Sequence, residues 1–215
     1  MIIPTENLPL TIAWFETASP DSRPAYGDPE RTTWGEFASI FEWRREGEKD
    51  GCGFVAARFK PEHDGRQVRQ RKANLLTRTA IALDIETDKK TGEVPPSPKE
   101  AIGRVEALGL AALVYTSHNH TPGNTRYRIV QPLSAEIAPE LPAPEIIAEA
   151  LGLRGVLDES KIGASSLFYL PSCPYDALAL HQTVRPRRCD RCRMDGGPRW
   201  GPAGGPAGRG GSYRR

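Results

Sequence analysis

The chain predicts an α+β protein: a ferredoxin-like or RNA-recognition-motif-like β-α-β-β-α-β core behind an N-terminal α/β extension. Two observations carry this. Strand-like apolar runs at 79–86, 110–117, 126–133 and 166–171 bracket two helical patterns in that order. Before them stands one further helix signal with a looser strand, and after them a segment too poor in apolar residues to fold. The expected organisation is therefore an extension over 1–74 belonging to the same globular unit, a core over 75–185, and a disordered basic Gly/Pro/Arg-rich tail over 186–215.

Residues 1 to about 30 are rich in Pro, Asp and Ser and read as irregular. Thr33 followed by Glu36 is a capping box that opens a helix, with Phe37, Ile40 and Phe41 as its apolar stripe. "GCGFVAARFK" reads as a strand. In the core, "TAIALDIE" is the first strand; Ser97, Pro98 and Glu100 open a helix that Gly109 stops. "LAALVYTS" is a buried strand, "HTPGNT" a turn, and "RYRIVQPL" a strand that alternates. Pro144 and Glu145 open the second core helix, with Gly152 near its end, and "SLFYLP" is the last strand.

Composition narrows the function classes. With 26% charged and 38% hydrophobic residues this is an ordinary globular chain, and its longest apolar run, "ALGLAALVY", is far too short to span a bilayer. A cytoplasmic protein without a membrane partner is expected. Four cysteines, three of them after residue 170, do not make a disulfide framework. The net charge of +2 hides an asymmetry: from Arg185 to Arg215 nine Arg stand against two Asp, a local +7 that leaves −5 on residues 1–184. A basic tail on an acidic body suits a chain that touches nucleic acid and also holds metal.

The acids of "LDIET" are the sharpest local signal. If Leu83 and Ile85 face the helices, Asp84 and Glu86 project together from the opposite, open sheet face, where a divalent cation would relieve their repulsion. In this topology the third strand lies beside the first, so Arg126 and Arg128 stand next to the acids. They serve either to bind phosphate or simply to pair with the carboxylates. His118 and His120 sit at the mouth of the turn before that strand, able to donate to a phosphate oxygen or to bind metal. Asp158, in "GVLDES", is placed to bring a third carboxylate, or to cap a turn.

Together these residues resemble the primase-polymerase domain of the archaeo-eukaryotic primase superfamily, in its phage and plasmid replication form, over about residues 75–175. "LDIET" is similar to the family's acid pair, "HNHT" to its His motif, "RYRIVQPLS" to its hairpin and "VLDES" to its third acid motif. The resemblance implies that Asp84, Glu86 and Asp158 hold two Mg²⁺ or Mn²⁺ ions. It also implies that His120, with His118, Arg126 and Arg128 nearby, contacts the nucleoside triphosphate, and that a 3′-hydroxyl attacks the α-phosphorus on a single-stranded DNA template. A separate helicase or accessory priming protein would be a partner. Two rivals remain: a DNA-binding replication initiator without turnover, and a metal-dependent nuclease.

Secondary candidates lie outside that set. Cys189 and Cys192 form one CxxC, which with Cys173 and His181 offers a candidate Cys3His zinc site. The basic run Arg66, Arg69, Arg71, Lys72 and Arg78 is a candidate DNA track, and Trp200 and Tyr213 among the tail arginines could stack on bases.

Overall fold

The computed structural model describes residues 5–16, 30–49, 51–60 and 74–185. It is a mixed α/β chain with antiparallel sheets and, among these residues, three α-helices. Period-two patterning builds the central sheet. Strands β6 (Leu75–Ile85), β7 (Leu113–Thr116) and β8 (Tyr127–Ile137) pair antiparallel, with β5 (Ala57–Phe59) and β11 (Thr183–Val184) at the edges, in the order β11-β7-β8-β6-β5. Ile81, Leu83, Ile85, Val114, Tyr127 and Ile129 face one way, against Ala101, Ile102 and Val105 of α2 (Pro98–Ala107) and Ala148 of α3 (Ala143–Ala150). The intervening residues must therefore face the other way.

That second face is where expectation and structure part. It was expected open; instead the N-terminal extension packs on it. β1 (Pro9–Phe15), β2 (Glu30–Thr33), β4 (Gly53–Val55) and β9 (Phe168–Tyr169) form a second sheet, ordered β2-β1-β4-β9. Trp14, Phe54 and Phe168 of that sheet, with Trp34, Phe37 and Phe41 in and beside α1 (Trp34–Ile40), meet Ala80, Leu113, Tyr115 and Val130 in one aromatic core. Small side chains at Ala80 and Ala82 let the two layers approach.

Residues 9–15, expected to be irregular, are a strand buried at every position after Pro9, because "LTIAWF" is apolar on both faces as a central strand requires. The last expected strand, 166–171, shortens to β9 and joins the N-terminal sheet. In its place the chain returns beside β6 only as a bridge: Leu157 opposite Ile85, with Glu86 N–H donating to Val156 O and Asp158 N–H to Asp84 O. The expected order of first, third and second strands is present as β6-β8-β7, without a full fourth strand beside β6.

Local signals act as physics requires. Thr33 and Ser97 cap α1 and α2 with complete capping boxes through Glu36 and Glu100, and Gly109 and Gly152 end α2 and α3 at positive φ of 65° and 63°. The remaining pairing is a short parallel one between β3 (Arg45–Glu46) and β10 (Ser172–Cys173).

Candidate functional site

The site forms at the C-terminal end of β6, on the face opposite α2 and α3. Register sets it out row by row. Asp84 lies opposite Arg128, which lies opposite Tyr115; the bridge at Ile85 and Leu157 puts Asp158 on the far side of Asp84. One step along, Ser117 N–H donates to Arg126 O, and Arg126 pairs with Glu86. The placement of both arginines beside both acids is thus as the alternation predicts.

The acids are neutralised by the protein itself. Glu86 pairs with Arg126 and, at 3.2 Å, with Lys89. Arg128 Nε lies 3.6 Å from Asp84 Oδ2, too far for a hydrogen bond, in a pair whose side chains are 11% and 5% exposed. Arg128 also donates to Tyr169 O at 3.2 Å and lies over the rings of Tyr115 and Phe168, 5.9 Å from each centroid. Burial opposes its charge, but Asp84 and Tyr115 outweigh burial and raise its pKa. Burial pushes the Tyr115 phenol up to about 12, so it stays protonated and donates to Tyr169 O at 2.9 Å. That carbonyl of β9 therefore accepts from both Arg128 and Tyr115.

A second group gathers at the end of β7. Arg44, just beyond α1, donates to Thr116 O and Oγ1 and to Gln182 O, and meets His181 Nδ1 at 3.3 Å. His120 accepts from Arg126 N–H at 3.2 Å, and His118 Nδ1 lies 3.2 Å from Ser172 Oγ. Burial, then Arg44, lowers the His120 pKa; burial, then Arg44, His120 and His118, takes His181 down to about 4. Both rings are neutral at pH 7.

Oxygen donors suited to a hard cation are present but not assembled as expected. Among the described residues no three His, Cys, Asp or Glu side chains form a metal-holding group. Asp158 turns Oδ1 to the backbone N–H of Ser160, the turn-capping alternative, and Glu86 is tied to Arg126. Asp84 nevertheless keeps Oδ1 buried without a partner, next to Asp158. These two carboxylates are the oxygen donors that could share a hard cation, with water and phosphate completing its shell.

Other candidates move. Arg78 is not a DNA contact: it is 7% exposed, and its guanidinium holds Pro139 O and Ile162 O at 3.0–3.1 Å. Of the candidate zinc set, Cys173 is buried, which raises its thiol pKa, and His181 spends Nδ1 on Arg44. Cys189 and Cys192 lie outside the described residues, as do Arg66, Arg69, Arg71, Lys72, Trp200 and Tyr213. Sequence reasoning missed Arg44, Tyr115, Ser117 and the Tyr169 carbonyl. Period two along "LVYTS" would have placed Tyr115 and Ser117 on the acid face; nothing local marks Arg44.

The family model for the VapE N-terminal domain matches residues 27–188, which is 162 of the 215 residues. The chain belongs to the VapE N-terminal domain family. That family is associated with phage and plasmid replication, and the match takes in every residue of the site and every strand of the two sheets except β1. No curated protein and no solved structure was found to match the chain. No helix among the described residues is long and apolar enough to cross a membrane.

Proposed function

We propose that this VapE N-terminal domain is a metal-dependent nucleotidyltransferase, a primase-polymerase module that makes or extends primers on single-stranded DNA during phage or plasmid replication. The observation that carries the reading is the row Asp158, Asp84, Arg128 with Glu86 and Arg126 beside it: acids and arginines stand side by side on neighbouring strands at one end of the sheet. Transfer at phosphorus commonly uses both kinds of group together, carboxylates for a cation and guanidiniums for phosphate oxygens.

In this reading a triphosphate draws Arg126 away from Glu86, the more open of the two pairs, with an Arg126 side chain 27% exposed. His120 steadies the same phosphates as a neutral donor. Arg128, clamped between two rings and the Tyr169 carbonyl, holds its position beside Asp84. Asp84 and Asp158, with Glu86 once released, would hold Mg²⁺ or Mn²⁺, whose charge would lower the pKa of an attacking 3′-hydroxyl and offset that of the leaving pyrophosphate.

The test is primer extension and de novo priming by the full chain with Mg²⁺ or Mn²⁺, comparing Asp84→Asn, Asp158→Asn and the Asp84→Asn/Glu86→Gln double variant. Labelled primer should lengthen with the native chain and stay at its starting length with each variant. A second reading, a replication initiator that binds DNA without turnover, is favoured by the arginine partner of each β6 acid. It predicts no extension and unchanged DNA affinity in all three variants. Shortening of the labelled strand would instead identify a nuclease.

A further inference from the structure

The imidazoles of His120 and His181 meet edge to face, ring centroids 5.8 Å apart and planes at 75°. Around His181, Nδ1 lies 3.3 Å from an Arg44 guanidinium nitrogen and 3.2 Å from Thr116 Oγ1. A guanidinium can only donate, so Nδ1 accepts and the single proton of the neutral ring resides on Nε2. His120 is set the same way, because its Nδ1 accepts from the backbone N–H of Arg126. Each ring is thereby an Nε2–H donor.

That assignment selects the ligand. A metal bound at either Nε2 would require the proton on Nδ1, facing an N–H of Arg44 or Arg126, which is a donor against a donor. An acceptor has no such conflict. Nε2 of His181, in a residue 9% exposed, is buried without a partner, and so are Ser117 Oγ and Arg126 Nε close by. Unpaired buried donors are costly and rare, and here they gather at one end of one sheet.

We propose that His181, held by Arg44 as an Nε2–H donor, is a further substrate-binding residue that donates to a phosphoryl oxygen beside His120. This rests on the nucleotide reading above and extends it: Arg44, from the N-terminal extension, becomes a positioning residue for the site. The groups facing His181 are Arg44, His120 and His118, all of which favour its neutral form.

The experiment uses the full chain and inorganic tripolyphosphate. Imidazole ¹⁵N spectra of the free protein at pH 7 should show both rings as Nε2–H tautomers; an Nδ1–H tautomer at His181 overturns the proposal. Adding tripolyphosphate should shift the His181 Nε2 resonance. Calorimetry should give about tenfold weaker binding for His181→Phe, with part of the affinity kept by His181→Gln, whose amide still donates. Should His181→Phe fail to fold, the tautomer and the shift in the native chain decide. If tripolyphosphate binds but leaves the His181 resonance and both variants unchanged, this proposal falls and the nucleotide reading stands. If the native chain binds neither tripolyphosphate nor a nucleoside triphosphate, both fall together. Stoichiometric Zn²⁺ binding through His181 Nε2 would also overturn it.

Discussion

Replacing Arg128 by methionine keeps most of the side chain's volume and removes its charge, leaving Asp84 in a place that is 3% exposed. It also removes the donor to Tyr169 O at 3.2 Å and the cation over two rings. Breaking a buried ion pair from one side costs about 3–5 kcal/mol, because the remaining charge stays desolvated. With a urea dependence of about 2 kcal/mol per molar, the unfolding midpoint should fall by about 1.5–2.5 M. Neutralising the other partner as well, in Asp84→Asn/Arg128→Met, should recover at least about 2 kcal/mol of that loss, because no uncompensated charge is left. The assay is equilibrium urea unfolding of the native chain, both single variants and the double variant. If the two single effects add to within about 0.5 kcal/mol, the residues do not interact and the reasoning fails.

Phe37→Ala should cost about 3–5 kcal/mol by the same assay, since Phe37 is fully buried and contacts the rings of Trp14, Trp34, Phe41 and Phe54; a loss under about 1 kcal/mol would mean the aromatic layer is not packed as described. Arg78→Ala should destabilise by about 2–3 kcal/mol through the carbonyls of Pro139 and Ile162, yet leave single-stranded DNA affinity and its salt dependence unchanged; a weaker salt slope would restore Arg78 as a phosphate contact. His181 takes up a proton more readily unfolded than folded, because its folded pKa is depressed to about 4. Its stabilising effect is therefore complete above the unfolded value near 6.5 and is lost as pH falls from there toward 4. The slope approaches about 1.4 kcal/mol per pH unit, and His181→Gln should flatten it in pH-dependent urea unfolding.

The helices were legible because their signals are local: Thr33 with Glu36 and Ser97 with Glu100 name their own starting points. The face shared by Asp84, Glu86, Arg126 and Arg128 was legible because parity along a strand is fixed by the backbone. β1 was not legible. Its "LTIAWF" is apolar without alternation, and the neighbouring Pro, Asp and Ser residues suggested a loop. Nor could the covering of the acid face be read, since it depends on aromatic residues more than 50 positions away along the chain from Leu113 and Tyr115 packing onto them. Arg44 meets His181 across 137 positions, and Tyr169 reaches Arg128 across 41; no periodicity encodes such pairings. Arg78 shows the converse, a basic residue in a basic run that burial alone reassigns.

The two sheets trade strands. β5 comes from the N-terminal region yet pairs with β6, while β9 comes from late in the chain yet pairs with β4. No cut at 74 therefore yields two self-sufficient halves: either fragment exposes an unpaired edge, an invitation to aggregation. Anyone grafting this module onto another replication protein must carry both regions as one piece. Its melting should follow a single transition, in which loss of the aromatic layer and loss of the acid row occur together.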